Sequence, residues 1–292
     1  MSLERIGVLG CGLMGSGIAE VMARAGYAVR VWEANPEAME AGRARIARSL
    51  EKAVEREKLG PSERDLALTR LSFTTRLADL SDRELIVEAV VEDLGIKMGL
   101  FREIDSLCEP TAILASNTSS LPIAEIAAAV RGRDRFLGLH FFNPVPVMRL
   151  VEIVRTLETS DAALETVAAV VRKLDKEPIH ASDRAGFVVN LLLIPFILDA
   201  IRHLEHGIAS IGDLDKAMVL GCGHPMGPLT LCDFVGNDTV CRIAEIMYAE
   251  YRDQRYAPPP LLRRLVATGR FGKKSGAGFY DYSGETPVPL VL

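Results

Sequence analysis

The stretch VLGCGLMGSGIAEVMARAGYAVRVWEAN, residues 8–35, decides the fold. An apolar run stops at Gly10. Gly10, Gly12 and Gly15 then spell G-x-G-x-x-G at the head of a segment with helical spacing. A second apolar run, Val29–Trp32, ends in Glu33. Strand, tight turn, helix and strand are the parts of a βαβ unit. The first glycine allows the turn, the second lets a pyrophosphate approach the backbone, and the third lets helix and strand pack closely. Leu13 and Met14 open the helix, where free N–H groups and positive potential favour an anion. Glu33 follows roughly 20 residues on, where an acid accepts from a ribose 2′-OH and repels a 2′-phosphate. The stretch therefore predicts a dinucleotide site preferring NAD to NADP, with Gly10, Gly12, Leu13, Met14, Gly15 and Glu33 binding the cofactor. The competing reading is that the glycines serve turn geometry alone.

The alternation continues outward. Strand-like runs recur at Ile6–Leu9, Val29–Trp32, Leu71–Thr74, Leu85–Val90, Ala112–Ala115 and Phe136–Phe142, and helix-like segments at Met14–Arg24, Ala38–Lys58, Ile96–Leu107 and Ile123–Val130. Such alternation implies βαβ units and a parallel sheet covered on both faces. From about Gly186 only helical patterns remain: Phe187–His206, Ile211–Leu220, Leu229–Tyr251 and Leu261–Thr268. The polar turn cluster SDRAG, residues 182–186, marks the change. The expected class is α/β: a Rossmann-type, mostly parallel sheet over residues 1–185 and an all-helical C-terminal domain over 186–292.

Composition excludes several functions. A chain of 292 residues is long enough for two domains and a substantial core. Its net charge of −5 argues against nucleic acid or an anionic membrane as the main partner, since both need a basic face. The longest apolar run, Phe187–Leu198, is interrupted by Asn190 and Pro195 and is too short to span a bilayer. A strand pattern already starting at Arg5 leaves no room for a targeting segment, and the expected location is cytoplasmic. Cys11, Cys108, Cys222, Cys232 and Cys241 lack CxxC spacing, so they read as free thiols in a reducing compartment and not as a zinc site. His203 and His206 have no third ligand at metal spacing, and no metal site is expected.

Four features bear on chemistry. Arg48, Lys52 and Arg56 form an i, i+4, i+8 column of like charge beside Ser49. Each such pair costs an isolated helix about 0.2–0.5 kcal/mol, so the column is either a polyanion site or a face neutralised by Glu51, Glu55 and Glu57. ILASNTSSLP, residues 113–122, runs from a strand into a polar turn at the edge where open sheets bind ligands. Its Ser119 and Ser120 could equally cap the helix that follows. GLHFFNPVPVMRLVEIV, residues 138–154, reads as two strands joined by a proline-broken turn. If Phe142 pairs with Met148, His140 faces Leu150 and lies diagonal to Glu152 on the same face. That pair is either a base with its orienting acid or a histidine satisfied in the core. Asn190, an amide in an apolar helix, either pairs within the core or points at a ligand.

In order along the chain, GCGLMGSGIA, VEAVVEDLGIKMGLF, ASNTSSLPI, GLHFFNPVPVMRLVEIV, DRAGFVVNLLL, GCGHPMGPLTLCDFVGND and FGKKSGAGFYDY resemble the short-chain L-3-hydroxyacyl-CoA dehydrogenases over nearly the whole length. The resemblance implies NAD-dependent oxidation of an (S)-3-hydroxyacyl-CoA, or the reverse. It implies His140 as general base, Glu152 as its partner, Ser119 on the reacting oxygen and Asn190 in the catalytic constellation. It further implies Glu92, Lys97, Asn143 and Lys274 at cofactor contacts, and Ser49, Lys52 and Arg56 toward an acyl-CoA substrate, with a homodimer formed through the C-terminal domain. Glu33 stands where the family usually has Asp, and Arg56 where Lys is frequent. Two rivals remain: a β-hydroxyacid dehydrogenase of the hydroxyisobutyrate type, and a non-catalytic, crystallin-like dinucleotide binder. The first needs an interdomain lysine after a glycine-rich run, and residues 165–200 hold no such run.

Overall fold

The computed structural model describes residues 3–290, which fall into two compact units divided between Phe187 and Val188. The first unit runs β1 (Arg5–Leu9), α1 (Leu13–Arg24), β2 (Ala28–Trp32), α2 (Pro36–Glu55), α3 (Pro61–Thr69), β3 (Leu71–Thr74), β4 (Leu85–Glu88), α4 (Leu94–Leu107) and β5 (Ile113–Ser116). It continues with α5 (Ile123–Ala127), β6 (Phe136–Phe141), β7 (Leu150–Arg155), α6 (Asp161–Lys173) and β8 (Glu177–Ser182). The strands form one sheet in the order β3-β2-β1-β4-β5-β6-β7-β8. Every neighbouring pair is parallel except β6 and β7. This is the Rossmann-type, mostly parallel sheet expected from the alternation.

Central strands β4, β5 and β6 are buried at every position because helices cover both faces, and their side chains are mostly apolar, with Glu88, Ser116 and His140 the exceptions. One core cluster gathers Ile18, Met22, Ile46, Leu50 and Val167 from α1, α2 and α6, and another gathers Phe101, Ile104 and Ile126 from α4 and α5. The two clusters lie on opposite sides of the sheet and clamp it. Asn35 begins α2, accepting from the N–H groups of Glu37 and Ala38 at 2.8 and 3.0 Å with Pro36 in the first turn.

Some elements depart from the pattern. β8, α3 and α6 lie outside the segments read from sequence. β8 is an edge strand, EPIHAS, whose proline and alternating burial leave no continuous apolar run. The segment Leu229–Tyr251 is two helices.

The second unit comprises α7 (Val189–Glu205), α8 (Ile211–Cys222), α9 (Pro228–Val235), α10 (Asn237–Tyr251), α11 (Pro260–Ala267) and a small antiparallel pair, β9 (Tyr280–Asp281) with β10 (Val288–Pro289). Gly236 separates α9 from α10 at φ +106°, a conformation that a side-chain-bearing residue rarely adopts. The strand pair corrects the all-helical expectation: buried Asp233 accepts from the N–H groups of Phe279 and Tyr280, both at 2.9 Å, and holds that extended segment against the helices. No helix among the described residues is long and apolar enough to cross a membrane.

Candidate active site

The sheet reverses its winding between β1 and β4, and at that point both strands release their chains at the same edge. In open α/β sheets this crevice takes the ligand. Gly10 sits there at φ +96°, and a Cβ on it would lie 2.7 Å from the Ala89 carbonyl oxygen. A Cβ on Gly15 would come within 2.0 Å of the Gly10 oxygen, whereas one on Gly12 meets nothing within 4 Å. Two glycines are thus fixed by packing. The middle one faces open space, and Gly12 starts α1 with no side chain capping it. Leu13 is exposed and Met14 half-buried beside it. An uncapped helix start beside a bare backbone fits a dinucleotide pyrophosphate.

Glu33 directly follows β2, where its carboxylate accepts from the Cys11 N–H at 2.9 Å. Arg45 of α2, which the sequence reading did not single out, donates from Nη1 to the Cys11 carbonyl at 3.1 Å and to Ser16 Oγ at 3.0 Å. Both peptide groups flanking Cys11 are therefore held by charged side chains. Cys11 is buried, and burial pushes its thiol up.

Farther along the edge lies a second network. Glu88, the last residue of β4, takes Lys97 Nζ at 2.6 Å, Ser116 Oγ at 2.6 Å and the Val90 N–H at 2.7 Å. Lys97 Nζ also reaches Glu92 Oε2 at 3.2 Å. Glu92 Oε1 in turn accepts from Thr118 Oγ1, from the Ser119 N–H at 3.2 Å and from Ser120 Oγ at 3.2 Å. Neither serine caps the next helix. Asp183 does, accepting from the N–H groups of Ile123 and Ala124 at 2.8 and 2.7 Å. Glu88 and Thr118 were absent from the sequence reading, although an acid closing the apolar run LIVE was the available signal.

The hairpin brings His140 and Glu152 together. Their register is closer than the diagonal one expected: His140 stands directly opposite Glu152. β6 ends at Phe141, so Phe142 and Met148 never pair, and residues 142–149 form a longer connection in which Pro144 accepts from the N–H groups of Val147 and Met148. His140 Nδ1 lies 2.6 Å from Glu152 Oε2, and both residues are buried. A carboxylate can only accept, so in the neutral imidazole Nδ1 carries the proton and Nε2 the lone pair. The ring is flanked by Phe142 at 4.5 Å and Phe187 at 5.6 Å between centroids. Asn117 Oδ1 accepts from the Phe141 N–H at 2.8 Å and ties this strand to the Ser119 turn. Buried Lys176 donates to the carbonyls of Val145 and Met148, both at 2.6 Å, and pins the connection from beneath. Asn143 is exposed on that connection.

On α2, Arg48 and Lys52 are exposed, as is Arg56 at its C-cap, and none of the three forms an ion pair among the described residues. Glu51, which could have neutralised them, is bound to Arg64 at 2.7 Å. Ser49 is half-buried beside the column. Asn190 and Lys274 belong to the second unit. Asn190 is buried in the first turn of α7, and Lys274 pairs with Asp238 at 2.6 Å. No cluster of three metal-ligating side chains exists among the described residues.

Known proteins are similar to this chain. A family model described as "3-hydroxyacyl-CoA dehydrogenase, NAD binding domain" matches residues 5–184, and one described as "3-hydroxyacyl-CoA dehydrogenase, C-terminal domain" matches residues 186–282. A 3-hydroxybutyryl-CoA dehydrogenase of Mycobacterium tuberculosis is 55% identical over 96% of this chain and 99% of its own length. One from Bradyrhizobium diazoefficiens is 40% identical over 98% of each chain. The crystal structure of (S)-3-hydroxybutyryl-CoA dehydrogenase from Ralstonia eutropha superposes with a TM-score of 0.93 at 41% identity, covering 97% of this chain and 100% of that one.

Proposed function

Because the chain belongs to the 3-hydroxyacyl-CoA dehydrogenases, we propose that it oxidises a short-chain (S)-3-hydroxyacyl-CoA such as 3-hydroxybutyryl-CoA to the 3-ketoacyl-CoA with NAD, or runs the reverse. One observation carries the chemistry: a buried imidazole held by a carboxylate at 2.6 Å through Nδ1, which leaves Nε2 as the basic atom.

NAD, when bound, would supply the acceptor for the hydride lost from C3 of the substrate. As it leaves, the C3 hydroxyl must lose its proton, and His140 Nε2 is the base that takes it. Glu152 then faces an imidazolium and stabilises it by charge; in the reverse direction the same proton returns to the ketone oxygen. Ser119 holds the reacting oxygen, and Asn190 joins this group on the family pattern. Gly10, Gly12, Leu13, Met14, Gly15 and Glu33 bind the dinucleotide, with Glu92, Asn143 and Lys274 contacting it as well. Ser49, Lys52 and Arg56 meet the phosphates of CoA, a reading supported by a basic column that forms no ion pair among the described residues.

The active form is a homodimer built through the second unit, where Leu192 and Leu220 stand 71% and 77% exposed. The compartment is the cytoplasm, consistent with five free cysteines, four of them buried.

The test is NADH absorbance with acetoacetyl-CoA as substrate. Turnover is expected, with NADH favoured over NADPH by about tenfold or more in kcat/KM, or about 1.4 kcal/mol. Absence of turnover in a folded protein would leave the non-catalytic dinucleotide binder standing.

A further inference from the structure

Glu88 is buried to 0% exposure and Lys97 to 1%. Glu88 already holds Lys97, Ser116 and the Val90 N–H, so it has little capacity left for a ligand. Its charge must therefore serve the protein. A buried ammonium is tolerated only with close counter-charge, and Lys97 has two carboxylates, Glu88 at 2.6 Å and Glu92 at 3.2 Å. Holding Lys97 fixes Glu92, and the far oxygen of Glu92 gathers three donors from the turn: the Thr118 hydroxyl, the Ser119 N–H and the Ser120 hydroxyl. Thr118 closes the turn further by accepting from the N–H groups of Ser120 and Leu121 at 3.3 and 3.0 Å.

We propose that Glu88 and Thr118 are positioning residues that set Ser119 against the reacting oxygen, through the chain Glu88, Lys97, Glu92 and the 118–120 turn. Lys97 is then the internal link of that chain. The inference deepens the reading above, in which Ser119 binds that oxygen. With Glu88 neutral, Lys97 keeps a single carboxylate and is drawn toward Glu92, and the turn moves with it. Misplacement by such a shift costs rate more than affinity.

The test is a double-mutant cycle on the full chain with acetoacetyl-CoA and NADH. Glu88→Gln should lower kcat by roughly tenfold to a hundredfold with KM for NADH little changed. Thr118→Val should do the same more mildly, and Thr118→Ser should restore the rate. In a Ser119→Ala background, Glu88→Gln and Thr118→Val should add almost nothing, because the group they position is gone. If Glu88→Gln does not fold, the Thr118 series alone decides. Fold-changes that multiply independently of Ser119, or normal kcat in folded variants, would overturn the chain of contacts while leaving the dehydrogenase reading intact. A wild-type protein inactive on acetoacetyl-CoA would instead remove both.

Discussion

At the scale of single residues, the question is whether His140 is a base or a satisfied core group. A buried histidine bonded to a buried acid can serve either role. What distinguishes them is function under substitution. General-base catalysis contributes about 10²–10⁴-fold, so His140→Gln should lower kcat by at least the lower figure while NADH binding survives. Glu152→Gln keeps the shape and removes the charge that stabilises the imidazolium. It should reduce kcat while leaving NADH binding intact. A structural histidine would show the opposite pattern: lower melting temperatures in both variants and near-normal turnover in the folded fraction. The pair was legible in sequence because its hairpin is local. Its register was not, since the break point of the turn depends on where residues 142–149 dock, and Lys176, far along the chain, helps set that. Glu88 and Arg45 escaped for a similar reason: one buried acid or one arginine on a helix carries no spacing signal, and its role appears only when strands and helices meet.

At the scale of the element, the glycine-rich turn makes three similar residues perform different tasks. A methyl at Gly15 would sit 2.0 Å from the Gly10 oxygen, a backbone atom that cannot swing away. Gly15→Ala should therefore lower the melting temperature by several degrees, since strained packing of this kind costs about 1–3 kcal/mol. A methyl at Gly12 meets nothing within 4 Å. Gly12→Ala should leave the melting temperature near the wild type and raise KM for NADH instead. Equal stability loss in both variants would show that the turn serves folding alone. Long-period signals made most elements readable: central strands are continuous apolar runs, and the longer helices keep a buried stripe such as Ile46 and Leu50 on α2. Elements without such a signal were the ones missed. β8 is an edge strand holding a proline, α3 is short with one buried residue, Ala67, and the α9–α10 break rests on a single glycine.

At the scale of the whole molecule, acid should act differently on the two units. In the first, burial tends to raise the Asp105 carboxyl, but the Arg131 backbone and side chain and the Arg135 charge outweigh it and hold the group below its usual 3.8. Its folded value lies below the unfolded one, so its stabilisation is present above about pH 4 and is lost as pH falls through the folded value. In the second unit, burial pushes Asp233 above 3.8, against the pull of the Phe279 and Tyr280 N–H groups, Asn237 and Tyr282. The sign reverses there: its contribution is complete below 3.8 and is lost as pH rises through the raised folded value. Glu20 of the first unit is raised by burial in the same sense as Asp233, so a global melting curve would mix opposite effects and local amides are needed. Hydrogen exchange, corrected for the intrinsic rate, should show the Phe279 and Tyr280 amides keeping or gaining protection from about pH 7 to about pH 4. The Arg131 amide, which donates to Asp105 at 3.1 Å, should lose protection below that range. Parallel loss at all three amides would mean that overall charge repulsion governs acid unfolding, and not these two carboxylates.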